Sequence, residues 1–340
     1  MEDDSCNQFL PSAPLKNLRL RAKLLQTVRE FFHVHDYWEV QTPLLSRDVL
    51  IDAHIEPFSV IDHQNREWFL QSSPEFGMKR ILAAGAEAIF QIAPAFRQEE
   101  FGPIHNLEFT MLEWYRAGET HIEQMNFTEK LVRYIFQNAS QLPENPNSKF
   151  LSGFQQSFDR LRYNEAFQTY LGKSVIAESP QALKQIALEK GLNPPESLAE
   201  TDRDGWLNFL LAECVEPHLG VQRPVFLHDY PASQAALAKI RDDSPPVAER
   251  FELYINGMEL CNGYHELTNG QEFQRRNREQ QVIRQQEKRR PLPENSYLLE
   301  AMQSGIPDCS GVALGFDRLV MLAIGATSLA EVLPFPSDRA

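Results

Sequence analysis

Long apolar runs are missing from this sequence. Nowhere do about 18 apolar residues follow one another, so no segment has the length to cross a bilayer as a helix. The opening residues, Met1-Glu2-Asp3-Asp4, are acidic and polar, which excludes the basic-then-apolar pattern of a signal or transit peptide. Cysteine is scarce: Cys6, Cys214, Cys261 and Cys309 lie far apart, with no C-x-x-C pair. That argues against a zinc ribbon or a disulfide framework and leaves reduced, mostly structural thiols. Positive charge is also in deficit, since 33 Lys and Arg face 47 Asp and Glu for a net charge of −14. Such a chain is poorly suited to gripping a polyanion over a large surface, because phosphate neutralisation drives that affinity. Internal repeats and low-complexity segments are lacking too. The expectation is a cytoplasmic protein with no membrane partner.

What is present is an ordinary globular composition, 42% hydrophobic and 24% charged over 340 residues. That length suits one large domain or two ordinary ones, and burying roughly three quarters of the unfolded surface needs no disulfide staples. Residues 1–14 read as a loose tail. From Leu15 a helix pattern begins, with Leu18, Ala22, Leu25, Val28 and Phe32 as its apolar stripe. It leads into an extended segment, Trp38 to Thr42, stopped by Pro43. Short strands are expected at Glu67–Gln71, Ala88–Gln91 and Leu107–Trp114. A polar, proline-rich loop spans Gln141 to Asn147, a helical insert about 160–215, and strand signals return from Pro224.

Three local patterns carry chemistry. The first is Arg250 to Ile255, then Asn256-Gly257, then Met258 to Cys261. Asn-Gly between two such runs predicts a two-residue hairpin with a type I′ turn. In that register Ile255 faces Met258, Glu252 faces Cys261, and Glu252 and Glu259 share a face as diagonal neighbours. Two carboxylates so placed are either solvated or hold a divalent cation. The second is Cys309 to Leu322, a small-residue strand entering an amphipathic helix, with Gly315 and Arg318 at the junction. It reads either as tight helix–sheet packing or as a place where an anionic ligand approaches the backbone. The third is Phe96 to Tyr115, two strands and a loop that set Arg97 and Glu99 against Phe109. It is either a surface hairpin or a nucleotide site, with the arginine on a phosphate and the aromatic ring on a base.

In order and detail these segments resemble the three signature motifs of class II aminoacyl-tRNA synthetases. The helix and strand ending at Pro43 resemble motif 1, Phe96-Arg97-Gln98-Glu99 with His105-Asn106 and Glu108-Phe109 resemble motif 2, and Gly311 to Arg318 resemble motif 3. The spelling is most similar to the lysyl branch: Ser73-Pro74-Glu75 with Lys79-Arg80, Phe109 to Glu113, and Asn262 to Leu267. Only about 14 residues precede the first helix, so no anticodon-binding domain is expected. Together with Tyr230 to Gln234 and Pro307 to Gly315, this resembles the stand-alone lysyl-branch paralogues that modify elongation factor P with (R)-β-lysine.

The resemblance implies an α+β fold, a mainly antiparallel six-stranded sheet flanked by helices, with motif 1 pairing two subunits in a homodimer. It implies ATP and Mg²⁺, an aminoacyl-adenylate intermediate, and transfer of (R)-β-lysine, with lysine the poorer substrate, to a lysine ε-amine of elongation factor P. No tRNA binding is implied. Arg97 would hold the α-phosphate, Phe109 and Arg318 would sandwich adenine, and Glu99 would accept from its amino group. Gln98, His105, Asn106, Leu260 and Gly315 would complete the ATP site, while Glu252 and Glu259 would hold Mg²⁺; Arg97, Glu259 and Arg318 are the catalytic set. Ser73, Pro74, Glu75, Glu113, Tyr115, Asn262, Glu266 and Ala313 would line the amino-acid pocket, three carboxylates asking for a cationic guest. Glu266 stands seven residues after Glu259, so placing both on one face requires a β-bulge, expected near Asn262-Gly263.

Ala313 replaces the glycine of lysyl-tRNA synthetases, and its methyl group is expected to favour β-lysine over α-lysine. Gln98 and Leu107 replace the family's usual asparagine and proline, with small effects expected. The run Arg275 to Arg290 holds seven basic residues and two acidic ones, either a solvated helix face or a dock for an acidic partner. Three rivals differ in kind. An amide-forming paralogue needs a pocket that welcomes a carboxylate. A tRNA-charging enzyme needs a basic surface. A non-catalytic regulatory paralogue should lack ATP residues that are present here.

Overall fold

The structure is a computed structural model, and it describes residues 9–143, 145–147, 150, 154 and 156–340. The first elements are α1 (Leu15–Val34), β1 (Trp38–Glu39), β2 (Leu45–Ser46), β3 (Ser59–Ile61), β4 (Glu67–Leu70), α2 (Glu75–Ala83), β5 (Ala88–Phe96), β6 (Glu108–Ala117) and α3 (His121–Ser140). Next come β7 (Asp159–Arg162), α4 (Tyr163–Tyr170), α5 (Pro180–Glu189), α6 (Arg203–Cys214), β8 (Val225–Pro231), β9 (Ile240–Arg241), β10 (Val247–Ile255) and β11 (Met258–His265). The last are α7 (Gly270–Gln286), α8 (Tyr297–Ser304), β12 (Cys309–Gly315) and α9 (Phe316–Ile324). Two compact units emerge: one from the described residues of 1–119, 126–156 and 268–340, the other from 120–125 and 157–267.

In the first unit β1 runs parallel to β5, and β5, β6 and β12 are antiparallel neighbours. A separate three-stranded sheet has the order β2-β4-β3. Behind β5 and β6, Phe32 stacks on Phe90 with ring centres 4.4 Å apart and tilts against Trp114 at 5.4 Å. The expected helix is present, but its buried stripe is Leu20, Leu24, Val28, Phe31 and Phe32, whereas Leu18, Ala22 and Leu25 are partly or fully exposed. Both stripes satisfy the 3.6-residue period, and packing on Phe90 and Trp114 selects between them. Of the expected tail, residues 1–8 lie outside the described residues; Ser12 and Ala13 donate backbone hydrogen bonds to the carbonyls of Pro334 and Leu333.

In the second unit the strand order is β11-β10-β8-β7, with β9 on β10, and only β7 and β8 are parallel. The Asn-Gly hairpin is as expected: Asn256 and Gly257 have φ of 53° and 71°, the left-handed pair that a type I′ turn requires. Helices α4, α5 and α6 cover one sheet face through Tyr163, Phe167, Leu183, Trp206, Leu207 and Leu227. Ser179 caps α5 ahead of Pro180, and Asp202 caps α6 by accepting from Gly205 N.

The α+β class with a mainly antiparallel sheet is observed. The count of six strands is corrected, because the first unit has a sheet of four strands beside its three-stranded one, and the second unit has five strands. The short terminal strands β1, β7 and β9 have sequences too brief to show a period. Among the described residues Cys214, Cys261 and Cys309 are not joined in disulfides, and Cys6 lies outside the described residues. Among the described residues no helix is long and apolar enough to cross a membrane.

Candidate active site

The first unit builds a polar platform on one face of β6. Alternation puts Phe109, Met111, Glu113 and Tyr115 on a single face. Across the ladder from Met111, Glu113 and Tyr115 stand Gly315, Ala313 and Gly311 of β12, three small residues that leave the face open. A Cβ placed on Gly315 would meet nothing closer than the Arg318 side chain at 3.7 Å, and its φ is −71°. Neither packing nor backbone conformation therefore demands glycine there, and a ligand against the strand end supplies a reason for it.

Glu113 is 1% exposed and accepts from Ser73 Oγ at 2.7 Å and from the Tyr115 hydroxyl at 2.5 Å. Burial, with the nearby Glu75 charge, pushes its carboxyl up to about 7. Glu75 opens α2, and its oxygen lies 2.5 Å from Nζ of Lys79, which is fully buried. This changes the expected electrostatics. Glu75 already has an internal cation, whereas burial drives Glu113 toward its neutral form, so its ionised form carries a cost that a cationic guest would offset.

The motif 2 loop joins β5 to β6. The guanidinium of Arg97 lies 5.2 Å above the Phe109 ring and donates to Glu100 at 2.8 Å. Arg318 donates to His105 Nε2 at 2.7 Å and to the Ile104 carbonyl at 3.3 Å. Burial, then the Arg318 charge, lowers the His105 pKa below its ordinary value. Glu99 is exposed and pairs with Arg289 at 2.9 Å, and Gln98 bonds through its backbone to Glu56. Asn106 is buried with both ends of its amide engaged, donating to the Glu108 carbonyl and accepting from Ser337 N. Its visible work is to hold the loop.

Two first-unit features escaped sequence reasoning. Arg21 of α1 bonds Asp317 at 2.7 Å and Thr110 at 2.7 Å, fixing the start of α9 beside Arg318. The basic run is largely committed within its own unit. Arg284 is fully buried and donates to Glu56 at 2.6 Å, while Arg289 and Arg290 pair with Glu56, Glu99 and Glu67. Arg275 and Arg276, paired with Glu272, and exposed Arg278 resemble the expected helix face.

The second unit carries the acidic hairpin. The observed register pairs Ile255 with Met258, as expected, but sets Glu252 opposite Asn262 rather than Cys261. The ladder slips between Leu253 and Tyr254, whose partners are Cys261 and Glu259, so Leu260 is the bulged residue. The bulge that the Glu259 to Glu266 spacing demanded therefore exists, two residues before the expected place. Because of it Glu252, Tyr254, Glu259 and Asn262 share one face. Glu252 is 6% exposed and accepts from the Tyr230 hydroxyl at 2.5 Å, Tyr254 at 2.7 Å, Arg250 at 2.5 Å and Asn262 at 3.4 Å. Asp229, with φ of 58°, interrupts alternation in β8 just before Tyr230, whose ring lies 4.4 Å under the Arg250 guanidinium. Arg250, also missed by sequence reasoning, supplies the charge that lets Glu252 be buried. Glu266, 1% exposed, bridges to Ala238 beyond the end of β11.

These carboxylate oxygens suit a hard cation such as Mg²⁺. Glu252 spends both oxygens on protein donors, and Glu259 is half-buried on the same face.

The chain belongs to the class II tRNA synthetases (D, K and N), whose family model matches residues 9–339. Within that class it is similar along almost its whole length to proteins named elongation factor P--(R)-beta-lysine ligase. The relative from Vibrio vulnificus (strain YJ016) is 41% identical, over 96% of this chain and 97% of its own. Those from Pseudoalteromonas translucida (strain TAC 125) and Salmonella paratyphi B (strain ATCC BAA-1250 / SPB7) are each 40% identical, over 99% and 97% of this chain and 100% and 98% of theirs.

Proposed function

We propose that the protein is an ATP-dependent ligase that activates (R)-β-lysine as its adenylate and transfers it to a lysine ε-amine of elongation factor P. The single observation that carries the cationic substrate is the buried Glu113, held by Ser73 and Tyr115 in a face lined by Gly311, Ala313 and Gly315. An ammonium entering there makes a charge-assisted bond worth roughly 1.5–3 kcal/mol. The full-length relatives supply the acceptor through their names.

In this reading Phe109 stacks on adenine once Arg97 swings from its ring to the α-phosphate, and Arg318 leaves His105 to cover the other face. Glu99 accepts from the adenine amino group, with Gln98, His105, Asn106, Leu260 and Gly315 shaping the nucleotide site. Glu75, Ser73, Pro74, Tyr115, Asn262, Glu266 and Ala313 orient the amino acid. Mg²⁺ held by Glu259 and Glu252 would neutralise phosphate charge. No enzyme nucleophile is needed; positioning and electrostatic stabilisation of the attacked phosphate carry the step. The protein acts in the cytoplasm, as a homodimer through motif 1, and without tRNA.

The test is the intact mass of elongation factor P after incubation with the protein, ATP, Mg²⁺ and either lysine isomer. One lysyl-sized increase, larger in yield with (R)-β-lysine, is expected. Pyrophosphate exchange without any mass increase would refute the acceptor, and silence in both assays would refute the ligase.

A further inference from the structure

Within the second unit lies a cluster of metal-ligating side chains that the proposed reaction does not use. His121 at the start of α3, Glu249 of β10 and His265 at the end of β11 bring one ligand atom each to within 4.8 Å of one another. Asp229 borders the same place, its Oδ1 being 4.0 Å from His121 Nε2.

The cluster is built rather than incidental. His121 is 3% exposed, yet neither ring nitrogen has a hydrogen-bond partner. Asp229 Oδ1 is likewise buried without a hydrogen bond, whereas His228 Nδ1 lies 3.5 Å from the second Asp229 oxygen. Buried polar atoms are nearly always satisfied, so several orphans in one place mark an absent partner. The other groups are held firmly. His265 Nδ1 lies 2.5 Å from Glu249, and the second Asp229 oxygen lies 3.0 Å from Arg241.

We infer that His121, His265 and Glu249, with Asp229 in the fourth position, bind one divalent transition ion of the zinc type. Two imidazoles with two carboxylates suit Zn²⁺ and disfavour Mg²⁺, which prefers oxygen ligands throughout. Bonds of about 2.0–2.2 Å place tetrahedral ligands about 3.4 Å apart, so the side chains close by no more than a rotamer adjustment. Lys239 occupies the counter-position, its Nζ 3.2 Å from His265 Nε2. With Arg241 it balances Asp229 and Glu249, so an arriving ion must drive Lys239 outward, which a half-buried lysine permits. The ion would tie the start of α3 to the hairpin end immediately before Glu266. Its role is to hold structure, and it is independent of the proposed reaction.

The test uses the full chain, stripped with chelator and then given Zn²⁺ alone. Expected are about one zinc retained per chain after desalting, a rise in thermal midpoint, and the visible absorption of a tetrahedral site when Co²⁺ replaces zinc. His121→Ala should abolish all three. Lys239→Met should tighten zinc binding about tenfold, because a cation leaves the site. This variant keeps the test decisive if His121→Ala folds poorly. Wild-type protein that retains no zinc, as a water-filled cavity would give, overturns the inference. So does equal retention by His121→Ala, which would place the ion on surface groups, and so does a Lys239→Met variant with unchanged affinity.

Discussion

Raising the pH from 6 to 8 should tighten amino-acid binding about tenfold, and Glu113 is the reason. Its carboxyl is pushed up to about 7 by burial and by the neighbouring Glu75. About a tenth of the molecules carry the ionised form at pH 6 and about nine tenths at pH 8, while the ammonium groups of lysine stay charged. If the ammonium pairs with ionised Glu113, KM for the amino acid at saturating MgATP should fall about tenfold across that interval. The assay is ATP–pyrophosphate exchange at fixed ionic strength, in overlapping buffers. Glu113→Gln should flatten the profile and raise KM at pH 8 by roughly 10–150-fold, the loss of one charge-assisted bond of about 1.5–3 kcal/mol. Stability should move the opposite way. A carboxyl whose folded value lies above its ordinary 4.5 stabilises the fold while protonated, and that contribution is lost as pH climbs through 7. Ligand-free wild type should therefore lose stability between pH 4.5 and 8 relative to Glu113→Gln. A KM that stays flat from pH 6 to 8 in the wild type would refute the reasoning.

Lys79→Met should cost about 3–5 kcal/mol in urea unfolding, because it strands the Glu75 carboxylate beside a buried stem; a loss under 1 kcal/mol would mean that water replaces the ammonium. Arg97→Ala should lower the pyrophosphate-exchange rate by about 10²–10³ and leave the thermal midpoint unchanged, since its present partner Glu100 is at the surface. Ala313→Gly should improve activation of α-lysine relative to β-lysine, because the lost methyl group lies directly across the ladder from Glu113; an unchanged ratio of kcat/KM values would place isomer selection elsewhere.

What could be read from the sequence was what local chemistry decides. Asn256-Gly257 allows few turns, so the hairpin and its closing pair, Ile255 with Met258, followed directly. The seven-residue step from Glu259 to Glu266 demanded a bulge, but the residue count cannot say where the ladder slips, and it slips at Leu260. The stripe of α1 was misplaced because two faces share one period and only the partner surface discriminates. Lys79, Arg250 and Arg21 lay beyond reach for a different reason. Each is a cation whose meaning depends on which carboxylate the fold brings to it, and Arg21 meets Asp317 from the far end of the chain. The basic run was ambiguous on the same ground, since burial of Arg284 beneath Glu56 is a tertiary fact.

The bulged Leu260 has a further consequence, one of parity. In an unbroken strand, residues an odd number apart face opposite ways, so the single residue that drops out of the ladder converts an odd spacing into a shared orientation. The hairpin can therefore lose Leu260 without losing its orientation. Deleting it would close the ladder with Tyr254 still opposite Glu259 and Glu252 still opposite Asn262, so every side chain keeps its surface and only the local bend and extra twist disappear. Orientation in this strand resides in its pairing with β10, and Leu260 contributes a bend.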